Sequence, residues 1–118
     1  MEVQIFGIKK SSATRAALRF FAERRVTTHF VDLMERAAAM GELKRFAQKF
    51  GAPALVDREA KRFADLGLGP ARYGDERWLQ ILAEEPLLLK VPLVRWQQRL
   101  TIGAADAEWK QWVTEGKG

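Results

Sequence analysis

The first thirty-odd residues read as a strand, a helix and a second strand, and that order permits few arrangements. Val3-Gln-Ile-Phe6 alternates apolar and polar β-formers, and Gly7 ends it. Ser11 and Ser12 then offer N-cap hydroxyls for a helix in which Ala17, Phe20 and Phe21 form one apolar stripe. Arg15, Arg19 and Glu23 face water, and Arg24-Arg25 fall in the last turn, where cations suit the helix dipole. Thr27-Thr-His-Phe-Val31 is β-branched and aromatic, a second strand. Two strands joined through one helix must run parallel, with a right-handed crossover.

The middle of the chain is helical. Leu43, Phe46, Ala47 and Phe50 share a face in Gly41–Phe50, with Gly51 as the stop. Lys61–Leu66 makes a short helix, and Asp75 caps a third that places Trp78, Ile81 and Leu82 together. Strand character then returns. Leu93–Trp96 and Arg99–Ile102 flank Gln97-Gln98, a poor two-residue turn, so the hairpin loop is open to being longer. A last helix runs from Ala105 to Val113. A parallel pair at one end and a hairpin at the other join in one sheet. The expected class is α/β and thioredoxin-like, a four-stranded mixed sheet with flanking helices and a helical insertion. The single domain of residues 1–118 divides into βαβ 1–32, an insertion at about 33–87, ββα 88–113 and a frayed tail 114–118.

No cysteine occurs among the 118 residues. That excludes disulfides, thiolate metal sites and a cysteine nucleophile. His29 is the only histidine, so with no cysteine beside it this residue is no metal site, and a partly buried structural role in its strand is expected. The apolar stretches fall far short of the ~20 residues of a membrane span, and no signal peptide is evident, so a cytoplasmic location is expected. The formal charge of +5 favours acidic partners. Its basic residues are scattered, without the basic and aromatic interleaving that direct nucleic-acid binding needs.

Four stretches resemble one family. Phe6-Gly-Ile-Lys-Lys-Ser11 is similar to the strand-to-loop segment Tyr-Gly-Ile-Lys-Asn-Cys of the ArsC arsenate-reductase family, which includes Spx-like regulators and YffB-like proteins. Val56-Asp-Arg58 with Phe63-Ala-Asp-Leu66 resembles its arginine followed by an aromatic-led short helix. Glu85-Pro-Leu-Leu-Leu-Lys-Val-Pro-Leu-Val94 resembles His-Pro-x-Leu-x-x-Arg-Pro-Ile-Val, and Arg99-Leu-Thr-Ile-Gly103 resembles the hairpin return. The resemblance spans residues 2–113 in the right order and implies a thioredoxin-like fold with a cis bond at Pro92.

The departures fall on the chemistry. Ser11 stands where the family reductases carry the thiol that attacks arsenate, and Ser11 with Thr14 replaces the Cys-x-x-Cys pair of Spx-like regulators. Val91 and Ala104 replace two arginines of the family pattern, and only Arg58 matches an oxyanion-binding one. A serine hydroxyl is un-ionised at neutral pH and forms no disulfide, so neither arsenate reduction nor a redox switch carries over. Cofactor and metal are not called for. One expectation is a binding or regulatory module that contacts the RNA polymerase α-subunit, as the Spx-like resemblance implies, or another acidic protein. The other is an enzyme or a binder of a small anion or glutathione, working without a protein thiol on a vestigial site of Lys9, Lys10, Ser11, Ser12, Arg15 and Arg58 beside the Pro92 loop. Capping alone also explains Ser11 and Ser12, with the lysines solvated. Trp109 and Trp112 are expected on the sheet, and Trp96 is the better candidate for exposure.

Overall fold

The computed structural model describes residues 1–117. The chain forms two compact units, Met1–Arg36 together with the segment from Val91 onward, and Ala37–Lys90.

The first unit holds the sheet. Strands β1 (Glu2–Gly7), β2 (Thr27–Asp32), β3 (Leu93–Trp96) and β4 (Arg99–Ile102) lie in the order β2-β1-β3-β4. β1 and β2 run parallel with Ile5 opposite Phe30, β3 runs antiparallel to β1 with Val94 opposite Ile5, and β4 returns antiparallel to β3. This mixed sheet is the thioredoxin-like arrangement that the element order implies. Helices α1 (Ser12–Glu23) and α5 (Asp106–Lys117) supply its core. Val3, Ile5, Val94 and Trp96 from the strands cluster with Ala17, Phe20 and Phe21 of α1 and with Trp109 and Trp112 of α5. Trp109 is centred 5.4 Å from Phe20 and 5.5 Å from Phe21, and its Nε1–H donates to the buried Thr101 hydroxyl at 2.8 Å. Burying an indole with its polar end bonded keeps the apolar gain without the cost of an orphan donor.

Several expectations change here. Arg24 and Arg25 lie just past α1, with Arg24 as its C-cap and Arg25 in the left-handed region at φ 56°. The Val26 N–H donates to the Phe21 carbonyl and the Arg25 N–H to the Ala22 carbonyl, the bond pair of a Schellman stop, here without glycine. Arg24 stacks over the Phe20 ring at 3.7 Å and donates to the Phe20 carbonyl, which helps pin this non-glycine stop. The hairpin loop is the short one: Trp96 pairs with Arg99, and Gln97 takes φ 56° where such turns usually place glycine. Trp96 is buried, because its ring packs against Trp112 at 6.1 Å under the Arg99 guanidinium. His29 is exposed: it sits on edge strand β2, and its Nε2 lies 3.4 Å from the Glu2 carboxylate. Residues 114–117 continue α5 instead of forming a tail, and residue 118 of the expected tail lies outside the described residues.

The second unit holds helices α2 (Met40–Phe50), α3 (Lys61–Asp65) and α4 (Asp75–Glu84). Leu43, Phe46 and Ala47 of α2 are buried, as are Trp78, Leu79, Ile81 and Leu82 of α4. Phe50 stays partly exposed at the helix end, beside the Gly51 stop at φ 83°. Gly74, not Asp75, is the N-cap of α4; Asp75 lies inside the first turn, where its charge meets the dipole. Two 3-10 turns, Ala52–Leu55 and Pro86–Leu88, each carry proline in their first positions. An isolated antiparallel bridge of Val56 with Leu89 follows them, closed by Asp57 N–H to Leu88 O and Lys90 N–H to Leu55 O, both 2.8 Å.

Candidate functional site

The turn between β1 and α1 carries most of the expected site residues, and its hydrogen bonds say what each is doing. Ser11 N–H donates to the Ile8 carbonyl at 2.9 Å, closing the turn. Ser11 has extended backbone angles and is the N-cap: its hydroxyl accepts from Thr14 N–H at 3.1 Å. Thr14 is fully buried, and its hydroxyl accepts the Ile8 N–H at 3.3 Å. A Cβ on Gly7 would lie 2.5 Å from Thr14 Cγ2 and 2.6 Å from its Oγ1. Glycine at the end of β1 therefore lets threonine close over the turn. Ser11 and Thr14 together form a hydrogen-bonded lock between strand, turn and helix.

The basic residues are partly engaged within the chain. Lys9 Nζ lies 3.7 Å from Asp32 at the end of β2, and the Arg15 guanidinium donates to the Lys9 carbonyl at 2.9 Å. Lys10 and Ser12 are exposed. Helix α1 has no acidic residue in its first turn. Pro92 is buried behind a cis Val91–Pro92 bond, and its carbonyl accepts from Gly103 N–H at 2.8 Å. Arg58 belongs to the second unit, exposed, with its guanidinium 5.6 Å from the Phe63 ring centre. Among the described residues no group of three or more His, Cys, Asp or Glu could hold a metal ion, and no helix is long and apolar enough to cross a membrane.

Sequence reading missed one polar contact. Arg62 of α3 grips Glu85 with two parallel bonds of 2.9 Å, Nε to Oε2 and Nη2 to Oε1. The guanidinium holds the Glu85 carboxyl below the usual carboxylate range, first through the hydrogen bond and then through its charge, against the opposing effect of burial. Nothing in the spacing of the two residues signals the pair. Only the fold of this unit brings them together.

A thioredoxin-like sheet in a chain without cysteine defines a cysteine-less protein of the arsenate-reductase type of fold. The comparison with known families agrees: the ArsC family model matches residues 6–112, and the chain belongs to the ArsC family. An arsenate reductase of Neisseria meningitidis is 27% identical over 105 residues, covering 86% of this chain and 90% of that protein. A global transcriptional regulator, Spx 2 of Oceanobacillus iheyensis, is 24% identical over 115 residues, covering 96% and 84%. Among solved structures, an arsenate reductase from Vibrio cholerae superposes with a TM-score of 0.81 at 23% identity, covering 94% of this chain and 97% of that one. An ArsC family related protein from Bacteroides fragilis gives 0.84 at 17% identity with the same coverage.

Proposed function

We propose that this chain is a thiol-independent member of its family, a binding or regulatory module and not a reductase. The supporting observation is the use of Ser11. Its hydroxyl is committed to capping α1, and its neighbour Thr14 is buried in the same lock. A serine nucleophile must be activated by an adjacent base, and the Ser11 hydroxyl is bonded to the Thr14 N–H instead. The likeness to a transcriptional regulator directs the search for a partner to the α-subunit of RNA polymerase, or to another acidic protein of the cytoplasm. The charge of +5 would speed such an encounter more than it would tighten it.

The test couples two measurements on the purified full chain. Calorimetry with the C-terminal domain of the polymerase α-subunit, and capture from lysate of the source cells, should yield binding that weakens with salt. An arsenate assay with glutathione should give no turnover. Turnover above the protein-free rate would sink the proposal, and so would an absence of any retained acidic protein.

A second reading rests on the first turn of α1, which lacks acidic side chains and exposes Lys10 and Ser12. A small anion or glutathione would sit there on the free N–H groups of the helix start. Titration with phosphate, arsenate and glutathione should then move the amide signals of residues 9–15. Unmoved signals end this reading without touching the first.

A further inference from the structure

The two edges of the sheet are guarded differently. β4 is four residues long and opens with Arg99, which lies over Trp96 and pairs with Glu115. β2 is six residues long, Thr-Thr-His-Phe-Val-Asp, and contains no proline, glycine, lysine or arginine. Short strands and edge charges are the usual means of keeping an edge from pairing; β2 is the longer edge, and its one formal charge, Asp32, comes only at its last residue. Its hydrogen-bonding pattern identifies the groups on offer. Leu33 N–H donates to the Gly7 carbonyl, so alternation turns His29 and Val31 toward β1 and leaves the N–H and C=O of Thr28 and Phe30 pointing outward.

Two hollows of about 640 and 390 Å³ border this edge and share Phe30, Val31 and Arg36, the larger extending across the sheet to Gln4, Arg95 and Gln97. Their charged lining is balanced: Lys9, Arg36 and Arg95 against Glu2, Asp32 and Glu35. A strongly acidic or strongly basic peptide would meet as much repulsion as attraction. The charges also sort by end. Glu2 is in register with Thr27 at the start of the strand. Glu35 and Arg36 bond through their N–H groups to the Asp32 carbonyl at its finish. A twofold axis across β2 brings the Glu2 end of one copy to the Arg36 end of the other.

We propose that β2 is a self-pairing edge: two copies of this chain join antiparallel, Thr28 opposite Phe30, into one continuous eight-stranded sheet. The interface is isologous, so each contact occurs twice. It is separate from the β1–α1 turn and from the proposed regulatory partner.

Sedimentation velocity over a concentration series, with amide hydrogen exchange on the same samples, tests this. The expected result is a monomer–dimer equilibrium, with exchange at Thr28 and Phe30 slowing as dimer accumulates. Glu2→Arg or Arg36→Glu alone should weaken dimerisation roughly tenfold, since each change spoils two exposed pairs, and the double variant should restore it. A monomer at every concentration overturns the proposal. So does a dimer that leaves the two amides unprotected or ignores the charge swap, and so does protection that appears only when another protein is added. A monomeric chain that still binds the polymerase α-subunit would remove this inference and leave the proposed function standing.

Discussion

The two units reach compactness by different routes. In the first, the ends of the chain meet: β1, near the start, pairs with β3, near the finish, and both press on α1 and α5. Its interior is aromatic, with Phe20, Phe21, Trp109, Trp96 and Trp112 in one cluster. In the second, Ala37–Lys90, helices of five to eleven residues alternate with 3-10 turns and one isolated bridge, and a surface ion pair ties α3 to the segment after α4. The first unit rests chiefly on apolar burial, which pH and salt hardly touch, with its ion pairs at the surface. The second adds a polar clip that both can loosen.

The largest expected effect tests the first half of that contrast. Trp109→Ala removes a fully buried indole from between two phenylalanines and orphans the Thr101 hydroxyl. The loss should be about 3–5 kcal/mol in urea unfolding, a large share of a domain's usual stability. A loss under about 1 kcal/mol would show that the aromatic cluster is not the centre of the unit.

Next in size is Gly7→Ala. The added methyl meets Thr14 Cγ2 and Oγ1 at about 2.5 and 2.6 Å, too close for any Cβ, and Thr14 is buried with nowhere to turn. Overpacking of this kind costs about 1–3 kcal/mol. Gly7→Ala combined with Thr14→Ala should cost less than the sum of the two single changes, because the second removes the obstruction. Additive losses would mean that the two residues do not form the lock.

Periodicity made the first unit legible. A period of two in Val3–Phe6 and a stripe at Ala17, Phe20 and Phe21 each specify an element and its buried side, and the βαβ order then dictates the parallel pair. What it missed were local stops and turns that use residues without the usual signature. Arg25 and Gln97 occupy positive φ where glycine is the common choice, and tertiary packing around Val26 and Trp96 holds them there. In the second unit the helices were legible. The 3-10 turns and the Arg62–Glu85 pair were not, since both depend on how short segments fold back on one another. At the candidate site, the positions were readable but their use was only partly so: Ser11 as a cap could be read from its place at a helix start, whereas Thr14 looks like a lost thiol in sequence and acts as a lock in the fold.

That use of Ser11 gives a smaller, sharper prediction. Ser11→Ala should cost about 1 kcal/mol through the lost cap. Ser11→Cys places a thiol at the α1 N-terminus beside Lys10, where the dipole and the charge favour thiolate. Alkylation rates against pH should show a thiol pKa below that of free cysteine. On the resemblance that sets Val91 and Ala104 at two arginine positions of the family pattern, arsenate reduction should still be absent. Activity gained by this single change would mean that only the sulfur was missing.

The smallest effect falls on the clip of the second unit and is read through pH. Glu85 has a lower carboxyl pKa folded than unfolded, because Arg62 bonds and faces its ionised form. The unfolded chain therefore binds this proton first as acid is added. Stability from the pair is complete above the unfolded carboxylate pKa and drains away as pH falls through the folded one. Glu85→Gln should thus differ from the parent at neutral pH, and the gap in urea midpoint should close in acid. Both partners remain about a third exposed, so solvent and salt screen the pair and the neutral-pH difference is small. Amide exchange would locate it: opening should quicken around residues 62 and 85 while the sheet of the first unit keeps its protection. A gap that persists unchanged in acid would assign the loss to shape and not to charge. The second unit would then owe nothing measurable to the charge of this clip.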